Sequence, residues 1–507
     1  MIHPMQNAAI ALLTIVDILL VALSQIALWQ RKEYRLDRMK AYLESPEGSI
    51  VRQWAVLLAG LLLGGGWITA RSNETLADYF GIASLLVLLI AHVLRIRKKG
   101  VIRPTLTTRA GVILLGTVLV CMAWKSFLIF PEFVLALQLA TLLFFLPALI
   151  AGIVFLVTIP ASFQKRRIIA KATRLRSSLK SLTVVGITGS VGKTSTKTYL
   201  LHLLGGESKT ICATREHRNS PYVVSLDMLS RITKNTKIYI AEMGAYKKGE
   251  IKELADLTQP TIGIVTAITN QHAALFGSLE NLAAAKWELI NALPSDGIAI
   301  LNADDERIIK KAKGLQKKVV WYSLAEKNPL LKHASVIGCG QLGSVLAAVT
   351  AAKVLGVSED DIAKRLASLP VIPRTMERKV HSSGAVVIDD SYSASEESVR
   401  HVVEYLSSCK SSDIRLALVP IIELGSEAAA VHERIGRLLA PLDAKVYIYG
   451  DAYKADIQRG LGKKRRVTVT WFDDAKSMAT ALSSNISSET TMLLEGRLPS
   501  IVRTSVV

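Results

Sequence analysis

The stretch 188–197, TGSVGKTSTK, holds the residues with the plainest chemistry. A glycine turn that runs straight into Lys-Thr presents backbone N–H groups and a helix N-terminus to an anion. In such a loop Lys193 would reach the β- and γ-phosphates of a nucleoside triphosphate, and the Thr194 hydroxyl would ligand Mg²⁺. Gly189, Ser190, Gly192, Lys193, Thr194 and Ser195 are therefore candidate nucleotide-binding residues. The spacing departs from the commonest phosphate loop, which has four residues between its first glycine and Gly-Lys. Here five residues separate Gly186 from Gly192, and two separate Gly189 from it. Several other groups follow strand-like runs. Glu242 follows KIYIA and Asp390 follows AVVI, and His272 comes after TIGIVTAI. Asn302 and Asp304 lie in LNADD. Ligands of open α/β sheets bind at the carboxyl ends of strands, so each is placed to act, although each also fits a solvated strand end or polar turn.

The elements that must hold them are legible. Leu182–Ile187 is a short β-branched strand, and Lys193–Leu204 is a helix that stops at Gly205-Gly206. Later strand candidates are Ala385–Ile388, Ile414–Pro420, Lys445–Tyr449, Val467–Phe472 and Thr491–Leu494, interleaved with helical segments.

TGSVGKTSTK resembles the ATP loop of the Mur ligase family, and further stretches follow in that family's order. They include HRNSPYVVSLDML around Asn219, AEMGAYKKGEI at 241–251, ITNQHAALFGSLENLAAAKWELI at 268–290, LPSDGIAILNADDE at 293–306 and VVIDDSYSASEESV at 386–399. The resemblance covers about residues 181–507. Within the family it is nearest to the subtype that joins D-alanyl-D-alanine to UDP-N-acetylmuramoyl tripeptide. It implies an ATP-dependent, ADP-forming ligase of peptidoglycan precursor synthesis that works through an acyl phosphate. It also implies Glu242 and Thr194 as Mg²⁺ ligands, with His272 and Lys286 at a second Mg²⁺. Lys286 is the lysine that the family can carbamylate; by itself, with Glu280 and Glu288 nearby, it reads equally as a helix-face charge. Asp390 and Asn302 would face nucleotide or substrate.

Departures are specific. The family's adenine-side His and Asn would fall on Gly340 and Ser344. Ser393-Ala394-Ser395-Glu396 stands where Asn-Ala-Asn-Pro is common. Arg374 lies one position out of place, and Glu495-Gly496-Arg497-Leu498 replaces Lys-Gly-Ser-Arg. The phosphate and metal residues are intact; those for adenine or the incoming amine are altered.

The 507 residues carry 62 Lys+Arg against 42 Asp+Glu, a net charge of +20, yet 50% are hydrophobic. Mean hydropathy is +0.33. Such values coexist because the apolar residues are concentrated in the first third, in five stretches: Ala8–Trp29, Trp54–Ala70, Phe80–Leu94, Val112–Phe130 and Phe133–Ile159. The segments Gln30–Gln53, Arg95–Arg109 and Pro160–Lys180 hold 19 of the basic residues, and the alternate segments almost none. Positive loops stay cytoplasmic. Five spans with an outside N-terminus satisfy that rule, leaving the rest of the chain cytoplasmic at a cell membrane. The first stretch has no preceding Lys or Arg, which argues against a signal peptide. The basic segments flank apolar helices, so lipid headgroups, not nucleic acid, are their expected partner. Four scattered cysteines without a CxxC pair argue against a zinc or disulfide framework.

The expected architecture is an α-helical membrane domain (1–165), a basic linker (166–180), an α/β central P-loop ATP-binding domain (181–370) and a Rossmann-like C-terminal ligase domain (371–507). The active site is expected between the last two. Rival readings are an amide ligase on a lipid-linked acceptor, and an ATP-binding scaffold without turnover. An ATP-driven transporter is disfavoured, because LSGGQ is missing.

Overall fold

The computed structural model describes residues 4–32, 34–44, 52–70, 72–99, 103–127, 135–215, 219–269, 273–336, 339–422 and 424–506. It divides into two compact units, Met1–Arg166 and Arg167–Val507.

The first unit is helical: α1 (Pro4–Arg31), α2 (Leu36–Glu44), α3 (Arg52–Thr69), α4 (Glu74–Lys99), α5 (Thr108–Phe127) and the start of α6 (Leu135–Ser178). Among the described residues each of the five apolar stretches falls on a helix. Three helical segments are long and apolar enough to cross a membrane: Thr14–Arg31, Glu74–Leu94 and Ala136–Ser178. Ala55–Thr69 and Thr108–Trp124 are shorter. The stretch that starts at Phe80 in sequence gains length at its front. There Asn73 Oδ1 accepts from the Leu76 amide at 3.0 Å and caps the helix, so the helix begins at the polar Glu74. Small residues permit close packing: a Cβ on Gly81 would lie 2.5 Å from the Leu137 backbone nitrogen.

Residues 166–178, expected to be a linker because of their charge, continue α6 as helix. Ala172 is fully buried there, and Arg176 donates to the carbonyls of Thr258 (2.8 Å), Leu179 and Gln259 (each 3.0 Å). Three carbonyls hold the guanidinium, so a residue that reads as juxtamembrane charge is part of the second unit's core.

That unit holds two six-stranded sheets. The first contains β1 (Thr183–Thr188), β2 (Ile211–Ala213), β3 (Ile238–Glu242), β4 (Ile262–Val265), β5 (Ile298–Asn302) and β6 (Lys318–Tyr322), ordered β2-β3-β1-β4-β5-β6. All its pairs are parallel. The central strands β1, β3 and β4 are buried on both faces, which is why they read as apolar runs rather than alternating ones. Helices α7 (Lys193–Leu203), α8 (Pro221–Arg231), α9 (Glu250–Thr258), α10 (Ala273–Phe276), α11 (Leu279–Ala292), α12 (Glu306–Ala312), α13 (Cys339–Val354) and α14 (Glu359–Leu366) belong to this part. α7 and α13 share one apolar cluster, and α9 and α11 share another.

The second sheet comprises β7 (Glu377–Val380), β8 (Val386–Asp390), β9 (Asp413–Leu418), β10 (Lys445–Tyr449), β11 (Thr468–Phe472) and β12 (Thr490–Glu495), ordered β11-β10-β9-β12-β8-β7. Only β7, an edge strand, runs antiparallel. Its alternating half-exposed pattern, ERKV, gave no apolar run to read in sequence. The other five strands lie within two residues of their expected ends. Helix α15 (Glu396–Ser408) follows β8.

Candidate active site

β1 is the first sheet's switch point: it lies between β3 and β4, with β2 and β3 built out on one side and β4 to β6 on the other, so the loops after β1, β3 and β4 meet. Register fixes which residues meet, with Ile187 beside Glu242 and Thr188 beside Val265. The turn after β1 needs its glycines. Gly189 has φ 154° and Gly192 φ 80°, and a Cβ on Gly189 would stand 1.9 Å from Thr266 Oγ1. That hydroxyl donates to Val191 O at 2.5 Å, while Ser190 N donates to Ala267 O at 2.7 Å, so the β4 loop braces the turn. Helix α7 starts at Gly192 with no side-chain cap, leaving its first N–H groups for an anion.

Lys193 donates to its own loop, to Gly189 O at 2.8 Å and Ser190 O at 3.1 Å. Desolvation lowers its pKa, and Glu242 partly offsets that. Thr194 Oγ1 donates to Glu242 Oε2 at 3.0 Å, and Lys197 Nζ lies 3.1 Å from the same oxygen. Asn219 Nδ2 donates to Glu242 Oε1 at 3.0 Å, and the Glu242 amide donates to Thr214 Oγ1. Burial alone would raise this carboxyl; Lys197, Lys193 and Asn219 outweigh it and hold Glu242 ionised below its ordinary value. Ser195 is buried on α7.

Lys286, on α11, is 4% exposed and so is no solvated helix-face charge. Its Nζ stands 6.0 Å from the centre of the Phe276 ring. Burial first, then the nearby Lys193, pushes its pKa down to about 7. Together with Gly189, Ser190, Lys193, Asn219, Tyr246 and Phe276 it lines a cleft of about 390 Å³. A depressed lysine binds fewer protons folded than unfolded, so the folded state gains stability as pH rises from about 7 towards the unfolded value of 10.5. Urea unfolding of the wild type at pH 7 and pH 9 is expected to show that gain, and Lys286→Met is expected to reduce it. Equal slopes for both proteins would refute it.

Asn302 closes β5, where its Nδ2 donates to Thr266 O at 2.9 Å and its Oδ1 accepts from the Asp304 amide. Asp304 accepts from Ser323 and from the Leu324 amide. Both side chains brace the turn behind the phosphate loop. His272 lies outside the described residues. Asp390 ends β8 and accepts from the Met376 amide at 3.1 Å. Burial pushes its pKa up to about 6, and Glu495, buried beside it on β12 and bonded to Ser398 at 2.6 Å, is raised well above its ordinary value. Two buried carboxyls therefore stand side by side, each pushed towards its neutral form, and Glu495 is the one at the position where the family pattern has lysine. The phosphate loop, Glu242 and Lys286 thus converge in the first sheet's cleft, whereas Asp390 sits at the second sheet. Tyr392, just past β8, has its pKa raised by burial and then by the field of Glu242.

The departures have structural counterparts. A Cβ on Gly340 would meet His401 Nδ1 of α15 at 2.9 Å, and Ser344 Oγ lies against Gly192. Arg374, at φ 60°, donates to Ser391 Oγ at 3.2 Å and Ser391 O at 2.6 Å. Lys197, Thr214 and Arg176 were not singled out in sequence. For Lys197 a signal existed, since it lies one turn after Lys193 on the same helix face.

Residues 187–355 match the Mur ligase middle domain, and residues 375–498 match the Mur ligase glutamate ligase domain. The UDP-N-acetylmuramoyl-tripeptide--D-alanyl-D-alanine ligase of Mycobacterium tuberculosis is 32% identical over 295 residues, covering 52% of this chain and 57% of the relative. The enzyme of that name from Bacillus subtilis is 28% identical over 328 residues, covering 60% and 70%. The chain thus spans little more than half the length of the mycobacterial relative. Among solved structures, MurF from Acinetobacter baumannii superposes with a TM-score of 0.59 at 22% identity, covering 67% of this chain and 79% of that one. MurF ligase from Thermotoga maritima in complex with ADP gives 0.58 at 23% identity, covering 67% and 83%. Both share the fold. With the phosphate loop at the switch point and Glu242 bonded to Thr194 behind it, residues 187–498 belong to the Mur ligase family.

Proposed function

We propose that the chain is an ATP-dependent, ADP-forming amide ligase of peptidoglycan precursor synthesis, adding D-alanyl-D-alanine to UDP-N-acetylmuramoyl tripeptide. The observation that carries this reading is the fixed Glu242 carboxylate, bonded to Thr194, Asn219 and Lys197 beside the Lys193 loop. The relatives' names supply the substrates. Backbone N–H groups at the start of α7 and the Lys193 ammonium hold the triphosphate, and Lys193 leaves its loop carbonyls to reach it. An acceptor carboxylate oxygen then attacks the γ-phosphorus, and the bond to the β-phosphate oxygen breaks, giving ADP and an acyl phosphate. The incoming amine attacks the acyl carbon, loses a proton, and phosphate departs. Positioning and fixed positive charge carry both steps, with no protein nucleophile.

Thr194 Oγ1 and Glu242 Oε2 are adjacent hard oxygen donors, which fits Mg²⁺, an ion that keeps water and phosphate oxygens for the rest of its shell. When bound, the ion neutralises phosphoryl charge. Lys286, with its pKa lowered to about 7, presents a substantial fraction of neutral amine able to add to CO₂, releasing a proton and leaving an anionic carbamate that would serve a second ion with His272.

The helical unit is read as a multi-pass anchor in the cell membrane, N-terminus outside and ligase domains cytoplasmic. Its supports are the three long apolar segments and the exposed Leu61, Ile68, Leu86, Ile90, Leu115 and Leu156. An anchor also suits a lipid-linked acceptor, since tethering raises its local concentration.

The test is ADP release by detergent-purified protein, with D-alanyl-D-alanine and UDP-N-acetylmuramoyl tripeptide added singly and together. Release that needs both is expected. Release only with a lipid-linked acceptor would replace the soluble substrate; ATP binding without release from any acceptor would make the protein a scaffold.

A further inference from the structure

We propose that the helical unit contains a binding site for the phosphate of an amphiphile, formed by Arg109 and Tyr34; this rests on the membrane reading of that unit. Tyr34 lies in the turn between α1 and α2 at φ 54°, a left-handed conformation that a bulky side chain rarely adopts. Arg109, in the first turn of α5, lies over its ring with Cζ 4.0 Å from the centroid. On the other side Arg109 Nη2 donates to Thr158 Oγ1 of α6 at 2.5 Å, and Thr158 donates onward to Val154 O. The guanidinium is therefore fixed between α6 and the α1–α2 turn. Yet its Nε is buried without a hydrogen-bond partner, and so is the Tyr34 hydroxyl.

A buried donor without an acceptor is costly, because it has given up its hydrogen bond to water and gained none in return. Here the fixed guanidinium's own Nε and the hydroxyl of the tyrosine stacked on it are both left without a partner, and an anionic oxygen is the acceptor that would suit them. Arginine's planar fork suits phosphate in particular. What surrounds the site indicates the kind of phosphate. Gln30, at the end of α1, binds Thr105 in both directions, donating to its carbonyl at 2.7 Å and accepting from its amide at 2.9 Å. That clamps the segment leading into α5, on which Leu106 is 94% exposed; Leu36, two residues past Tyr34, is 59% exposed. Apolar side chains displayed beside a fixed cation match a phosphate ester carried on an alkyl chain. A bilayer phospholipid and a lipid-linked precursor share that chemistry.

Isothermal titration of the full chain in neutral maltoside micelles tests it, with dodecyl diphosphate, dodecylphosphocholine and inorganic phosphate as probes. Saturable binding of an alkyl probe is expected, weakened about tenfold or more by Arg109→Gln, the loss of a charge-assisted hydrogen bond. Arg109→Lys should fall between, and Tyr34→Phe should weaken binding several-fold. Preference for the diphosphate points to a precursor, and equal affinity for phosphocholine to bulk phospholipid; either supports the site. No binding by the wild type, or affinities that the variants leave unchanged, overturns it. Inorganic phosphate binding as tightly as the alkyl probes overturns the amphiphile. Unchanged ATP binding and melting by the variants exclude misfolding as the cause. Partition of the wild type into zwitterionic vesicles reports the membrane reading separately.

Discussion

Lys193→Ala is expected to lower ADP release by about 10²–10³-fold, the usual cost of removing one preorganised charge from a developing anion. The loop itself should survive. Its shape rests on Gly189, Gly192 and the Thr266 brace, none of which touches the lysine side chain beyond the two carbonyls it caps. The variant should therefore melt close to the wild type and bind ATP more weakly while turning it over far more slowly. Steady-state ADP release combined with calorimetric ATP titration separates the two. A variant that retains more than a tenth of wild-type turnover would remove Lys193 from the phosphate site.

Glu242→Ala should strike folding as well as turnover. The carboxylate is 2% exposed and Lys197 6%, so truncation leaves an ammonium buried without its counter-charge, and frees Thr194 and Asn219. Breaking one partner of a buried pair costs about 3–5 kcal/mol. Replacing both partners with apolar groups removes the stranded charge, so Glu242→Ala combined with Lys197→Met should recover much of that loss in urea unfolding without restoring activity. A single variant as stable as the wild type would mean that Lys197 escapes to water and that the pair is not what fixes the carboxylate.

What was legible in sequence was what local chemistry dictates. The TGSVGKTS turn needs its glycines for backbone shape and its lysine for charge, and both are local requirements. The central parallel strands announce themselves as apolar runs because both their faces are covered. Less legible was everything that depends on a distant partner. Thr214 reaches Glu242 only because β2 and β3 pair in register, and nothing near it in sequence marks it, whereas Asn219 stood out only through the resemblance of HRNSPYVVSLDML. The burial of Lys286 depends on α11 packing over the first sheet, while Glu280 and Glu288 on the same helix suggest solvent. Edge strand β7 alternates without an apolar run. Asn302 and Asp304 were found for their position, but their hydrogen bonds go to the scaffold behind the loop.

The grip of Arg176 on the carbonyls of Thr258 and Gln259 decides where the polypeptide can be divided. The composition changes at Ser181, which invites a cut there to release a water-soluble catalytic half. Such a fragment would lose Ile169, Ala172 and Leu175 from the apolar cluster beneath α9 and would bare the end of that helix. The natural seam lies some fourteen residues earlier, at Arg167, inside a helix whose outward charge conceals its inward-facing side.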